Sequence, residues 1–184
     1  MPQVIKTMVL AALLVALSAC GSDSGGGASG GGGGVPQGFK QLDGPGYTLA
    51  YPASWQPLEV AGSHGAQGPK GTGGLAPQAA VGRGKVTAPL NLTVNGLKAD
   101  NRVRRAAYKV VRDAPYHLDG AKGAHLVEAT YNEVTGAKTT PVRTIDVLAQ
   151  TDDGVAFDLF LRAPEADFDR AGLRKVLTTF RLKP

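Results

Sequence analysis

His64, His117 and His125 are the only histidines of the chain, and their spacing serves neither metal binding nor proton relay. No HxxxH or HExxH pair occurs, so a metal centre would need distant segments to converge. They are expected to be structural or surface residues. Ser63-His64 lies in Gly-Ser-His-Gly, which is not the strand-to-helix turn that exposes a serine nucleophile. Ser54 stands between Pro52 and Trp55, a turn packed by its neighbours. Glu165, Asp167 and Asp169 form an acidic cluster best used in capping a helix; calcium or paired-carboxylate chemistry would need partners from elsewhere. Asp152 and Asp153 read as turn residues. The glycines at 30–34 have no strand before and no helix after. In 62–74, Lys70 and Thr72 stand in the wrong order for a phosphate loop. No catalytic residue, metal or cofactor is expected. The stretch 62–74 reads as a mobile surface loop, or more sharply as a lid over a ligand.

The basic residues carry more information. Residues 83–112 hold eight Lys and Arg against one acid, Asp100, whereas residues 113–169 hold four against eleven acids. Residues 170–184 return to five basic and no acidic side chains. Lys98, Arg102, Arg104, Arg105, Lys109 and Arg112 form the densest run. Oppositely charged segments of one small domain commonly pair across its surface. The alternative is contact with anionic lipid head groups or anionic wall polymers, at about 1 kcal/mol per basic residue near such a surface. Nucleic acid is not an expected partner, because no aromatic platform accompanies the run.

The N-terminus decides the compartment. One cation, Lys6, precedes the apolar run Met8–Leu17 and the small residues Ser18-Ala19 before Cys20, which makes a signal peptide. The run is shorter than the roughly 20 residues that span a bilayer core. Leu17-Ser18-Ala19-Cys20 resembles the bacterial lipobox. That resemblance implies a diacylglyceryl thioether on Cys20 and cleavage between Ala19 and Cys20. The mature chain would then be held at the extracytoplasmic face of the cell membrane by its acyl chains, each buried CH₂ contributing about 0.8 kcal/mol. As the single cysteine, Cys20 excludes an intramolecular disulfide and a cysteine zinc site. Residues 21–38 hold ten Gly and three Ser, too little apolar surface to offset backbone entropy. They are expected to be a disordered tether reaching roughly 20–25 Å. The boundaries are thus 1–19 signal peptide, 20–38 lipidated cysteine and tether, and 39–184 a single globular domain.

Within 39–184 the pattern is mostly strands. Tyr47, Leu49 and Tyr51 alternate up to Pro52, and Leu90, Leu92 and Val94 alternate before the turn pair Asn95-Gly96. Residues 123–133, 141–151 and 154–163 read as three successive strands. Ile145, Val147 and Ala149 share one face, as do Val155, Phe157, Leu159 and Leu161, with Asp153-Gly154 turning between them. Asp167–Thr179 reads as a helix with Leu173, Val176, Leu177 and Phe180 as its core stripe. Residues 100–112 read as a short helix giving way to a strand.

Tyr47–Tyr51 followed by Pro52-Ala53-Ser54-Trp55 resembles the opening of the PsbP/Mog1-like superfamily, a strand then Pro-x-x-Trp. Ala166-Asp167-Phe168-Asp169 running into Leu177-Thr178-Thr179-Phe180 is similar to its closing helix. Actinobacterial cell-envelope lipoproteins of this type share the lipobox and tether. The resemblance implies an α+β fold, a central antiparallel sheet of about six or seven strands flanked by helices, with a C-terminal helix. It also implies no enzymatic activity. The expected function is a membrane-anchored binding or accessory domain that docks an envelope protein or an amphiphile on the sheet face or under 62–74. The alternative, an envelope hydrolase for wall or lipid substrates, lacks any nucleophile–base or metal spacing.

Overall fold

The structure, a computed structural model, describes residues 34–60 and 62–183. The segments expected to hold the lipobox at Cys20, the cleavage site after Ala19 and the tether up to residue 33 lie outside the described residues. Three long hairpin-linked strands form the centre: β7 (Gly123–Thr135), β8 (Lys138–Gln150) and β9 (Val155–Pro164). The β8–β9 turn closes where Gly154 adopts φ 78°, a conformation glycine takes without a Cβ clash. Thr151 N–H donates to Val155 O at 2.9 Å, so Val147 pairs with Leu159 and Leu148 with Asp158. With β3 (Gln56–Val60), β4 (Ser63–Gln67), β5 (Gln78–Lys85) and β6 (Ala106–Tyr116), they make a seven-stranded sheet ordered β3-β4-β5-β9-β8-β7-β6. Every neighbouring pair is antiparallel.

Strand alternation sends Leu126, Ile145, Val147, Phe157, Leu159 and Leu161 to one face. A second sheet covers that face, ordered β1-β2-β10 from Phe39–Gly44, Tyr47–Pro52 and Arg181–Leu182, together with α2 (Leu173–Leu177). The two short motifs quoted above have structural uses here. Trp55 N–H donates to Pro52 O at 2.9 Å, a turn that buries the indole to 3% exposure. Thr179 Oγ1 accepts the N–H of Ala50 at 2.9 Å, and Phe180 beside it is fully buried. The opposite face of the seven-stranded sheet is covered by α1 (Leu90–Arg104), which seals Val127 and Leu148 with Val94, Leu90 and Leu97.

Several sequence expectations are corrected. Leu90–Val94 is not a strand. Pro89 at the N-cap opens a helix there, and Leu90, Val94 and Leu97, one and two turns apart, face the sheet while Leu92 is 57% exposed. The apparent alternation came from Leu92, which has no core partner. Asn95-Gly96 lies on the exposed side of that helix rather than in a turn. The helix-to-strand change within 100–112 occurs at Arg105, but the helix begins at Leu90. The stretch 62–74 is not a loop throughout: Ser63–Gln67 is β4, paired with β3 and β5, and Thr72–Gly74 forms a 3-10 turn, which leaves 68–71 as the connection. Its glycines permit close approach, since a Cβ on Gly65 would stand 2.0 Å from Ala79 O. The long helix over 167–179 is broken at Gly172, φ 73°, leaving only Leu173–Leu177 as α-helix. Leu173, Val176 and Phe180 still face the core and Leu177 is half-buried. Asp167 caps no helix. Its carboxylate accepts the N–H of Thr72 at 2.7 Å and pairs with Arg170.

The outer edge of β6 is irregular. Register shifts occur between Ala106 and Lys109 and again between Val110 and Arg112, Ala107 takes φ 54°, and Pro115 lies near its end.

Candidate ligand-binding groove

The basic run is divided by the fold. Lys98 Nζ donates to Asp113 Oδ2 at 2.6 Å, and Asp113 also meets His125 Nε2, which ties α1 to β6 and β7. These two partners hold the Asp113 carboxyl below the usual carboxylate range. Arg104 pairs with Asp100 one turn earlier. Arg105 Nε donates to Asn101 Oδ1 at 2.7 Å, and its guanidinium lies 4.2 Å from the Tyr131 ring centroid. Among the described residues, Arg102, Lys109 and Arg112 form no ion pair. The other two histidines sit apart, His64 near Glu59 at 3.8 Å and His117 near Asp119 at 3.0 Å. No metal-holding cluster occurs among the described residues. The acids of 165–169 are ion-paired: Glu165 with Arg143, Asp167 with Arg170 and Asp169 with Arg174.

The polar feature without such pairing lies under the C-terminal half of α1. The helix covers β7 and β8 but leaves the same face of β9, β5 and β4 open. Small side chains keep it open. Ala80 and Gly82 line a cavity of about 440 Å³, and a Cβ on Gly82 would already stand 3.2 Å from Ser63 Oγ. Leu58, Leu97 and Phe160 give the cavity apolar walls. A second cavity of about 540 Å³ runs on toward Tyr131 and Glu133, and the two share Asp100, Asn101 and Arg105. Together they form an open groove along the foot of the helix.

Two carboxyls stand at its floor. Asp146 on β8 is 3% exposed, and Asp158 on β9 is half-buried. Asp146 pairs with Phe160 and Leu148 with Asp158, so the two acids are diagonal neighbours on one face. Neither enters an ion pair among the described residues, and Asp158 Oδ1 is buried without a hydrogen-bond partner. Burial pushes the Asp158 carboxyl up to about 6. Burial, then the neighbouring Asp158, pushes Asp146 well above the ordinary range, while Arg105 pulls the other way. Both shifts favour the protonated acid over the carboxylate. Tyr108 of β6 stands nearby, its phenol raised by burial and by Asp146, its hydroxyl unpartnered. The groove's cations are engaged elsewhere: Arg162 meets Glu133 at 3.6 Å and Arg105 stacks on Tyr131.

Asp146 and Asp158 were not singled out from sequence, although a signal existed. With Ile145, Val147 and Phe157, Leu159 assigned to one face, Asp146 and Asp158 must occupy the other. The Asp153-Gly154 turn then sets them one step apart across the hairpin. What the sequence lacked was the knowledge that α1 leaves this part of the face uncovered.

No family model matches the chain, and no curated protein matches it in sequence. Among solved structures it is similar to a protein of unknown function from Pseudomonas aeruginosa, with TM-score 0.55, 13% identity, and coverage of 79% of this chain and 98% of the other. It is similar to LpqN, involved in cell envelope biogenesis of Mycobacterium tuberculosis, with TM-score 0.55 and 13% identity over 79% and 91% of the two chains. The Ran-binding protein Mog1p of Saccharomyces cerevisiae follows with TM-score 0.52 and 10% identity over 78% and 95%. At such identities the likeness is one of fold. The chain has the Mog1/PsbP-like α+β fold that its short motifs pointed to.

Proposed function

We propose that this chain is a membrane-anchored envelope lipoprotein whose domain binds a ligand or partner in the α1 groove without catalysing a reaction. The observation that carries this reading is the open cavity floored by two carboxyls that enter no ion pair among the described residues. Groups left in that state cost folding free energy unless something outside the chain uses them. The similarity in fold to an envelope-biogenesis protein and to a Ran-binding protein supports a binding role. Arg102, Lys109 and Arg112, the part of the basic run without ion pairs, are the side chains left to meet anionic lipid or wall polymer.

Paired carboxyls are also the equipment of an envelope hydrolase acting on wall substrates. Such an enzyme places its two acids on opposite sides of the scissile bond. Here both rise from adjacent strands of one sheet face, and no histidine or lysine lines the cavity.

Two measurements test the proposal. For the groove, Ala80→Leu fills the floor while leaving the core untouched, since Ala80 faces the cavity. In-cell crosslinking followed by identification of captured species should recover a molecule or protein with the parent that is lost with Ala80→Leu. Equal capture by both removes the groove as the binding site. For the anchor, Cys20→Ser should abolish fatty-acid labelling and leave the precursor uncut after Ala19. Continued incorporation of labelled fatty acid into that variant refutes lipidation at Cys20.

A further inference from the structure

The chemistry of the occupant follows from which charges in the groove are already satisfied. Arg162 is held by Glu133, Arg104 holds Asp100, and Arg105 lies on Tyr131 with its Nε bonded to Asn101. Among the described residues Asp146 and Asp158 enter no ion pair, and Asp158 Oδ1 has no hydrogen-bond partner. An anion placed here would meet two carboxyls in a poorly solvated site. A hard divalent cation would need six or more oxygen ligands, and no metal-holding cluster occurs here among the described residues. A neutral hydroxyl could bond one acid but would leave the other desolvated and uncompensated. A primary ammonium carries three donors on one compact charge, enough to reach both carboxyls and a further acceptor such as the side-chain oxygen of Gln78 or Asn101.

Resting on the reading of the groove as a binding site, we propose that it takes an amphiphilic primary amine. The ammonium sits between Asp146 and Asp158, and the apolar body lies along Leu58, Leu97 and Phe160. The remaining titratable groups around the acids are Asp100 and Arg105 from α1, Tyr108 from β6, Tyr131 and Glu133 from β7, and Arg162 from β9. All of the charged members of that set are already paired or stacked, which leaves the two aspartates to respond to a ligand. Binding proceeds by exchange: the protonated ligand enters, a proton still held on either carboxyl leaves to solvent, and no covalent bond forms or breaks. The walls select for an apolar tail, because Leu58, Leu97 and Phe160 line the cavity beside the two acids.

Three probes of one shape separate charge from greasiness: hexylamine, hexan-1-ol and hexanoate, titrated calorimetrically into the purified full chain at pH 7.5. Hexylamine should bind at least about tenfold more tightly than hexanol, and hexanoate should not bind. The heat should vary with the ionisation enthalpy of the buffer, the mark of a released proton. At pH 4.5, where the carboxyl that titrates near 6 is almost fully protonated, the amine's affinity should fall by at least about thirtyfold. Asp158→Asn and Asp146→Asn, which keep side-chain size, should each bring the amine down to the level of the alcohol, with the circular dichroism spectrum unchanged. Equal binding of hexanol and hexylamine overturns the proposal while leaving an apolar groove in place. Absence of amine binding at millimolar concentration overturns it too, and the capture experiment with Ala80→Leu then decides the groove independently. Undiminished amine affinity in Asp158→Asn also overturns it.

Discussion

Asp158→Asn should melt several degrees above the parent protein at pH 7.5 and together with it near pH 3. The folded carboxyl titrates at about 6 against an ordinary value of 3.8, raised by burial. A raised acid binds its proton more tightly in the folded state, so its contribution is fully present below the unfolded value. It is lost as pH rises through the folded one. The window therefore runs from about pH 4 to about pH 6, and the gap corresponds to ~3 kcal/mol at most. Asparagine keeps the shape and cannot ionise, so the variant lacks this contribution to the pH dependence across that window. Asp113 and Asp167, both lowered by their cationic and hydrogen-bonding partners, work in the opposite sense and lose stability on acidification. They remain in the variant, which is why the comparison must be variant against parent at each pH. Equal melting at pH 7.5 shows that a group within the protein already neutralises Asp158.

A change on the opposite sheet face has the opposite sign and a larger size. Phe168 is fully buried beneath the turn that leads to α2, with the guanidiniums of Arg143 and Arg174 at 5.9 and 5.7 Å from its ring. Both arginines reach Glu128, itself only 5% exposed, Arg174 at 2.9 Å and Arg143 at 3.6 Å. Phe168→Ala removes the ring that packs the core and the platform on which those cations rest. The expected loss is about 3–5 kcal/mol in urea unfolding. Val103→Ala, at a position 88% exposed on α1, should stay within about 0.5 kcal/mol and serves as the control. A cost below about 1 kcal/mol for Phe168→Ala means that the core closes over the gap.

Where sequence and structure agree, one local pattern decided the outcome. The β7–β8–β9 hairpins were legible because alternation and turn residues point the same way there, and one correct turn fixes the register of two strands. The inward stripe Leu173, Val176 and Phe180 was legible although the helix carrying it is short, because the core selects side-chain direction before helix length. The misreadings arose where two local patterns competed. Leu90, Leu92 and Val94 fit period two as well as Leu90, Val94 and Leu97 fit a helix, and only the apolar surface of Val127 and Leu148 chooses between them. Glycines in 62–74 looked like flexibility, and Gly65 in fact serves close strand contact. The groove was the least legible feature. It is made of what α1 fails to cover, and an uncovered surface leaves no mark in any one segment.

The irregular edge of β6 has a bearing on how copies of this chain coexist. A straight terminal strand offers a row of unused amides and carbonyls to any neighbour, and two such rows zip together without regard to side chains. Here the row is interrupted twice by register shifts, turned at Ala107, deprived of a donor at Pro115 and lined by Lys109 and Arg112. At the other end of the sheet β3 is five residues long and contains Pro57. Crowded side by side, two molecules find no long, regular ladder at either edge of this seven-stranded sheet.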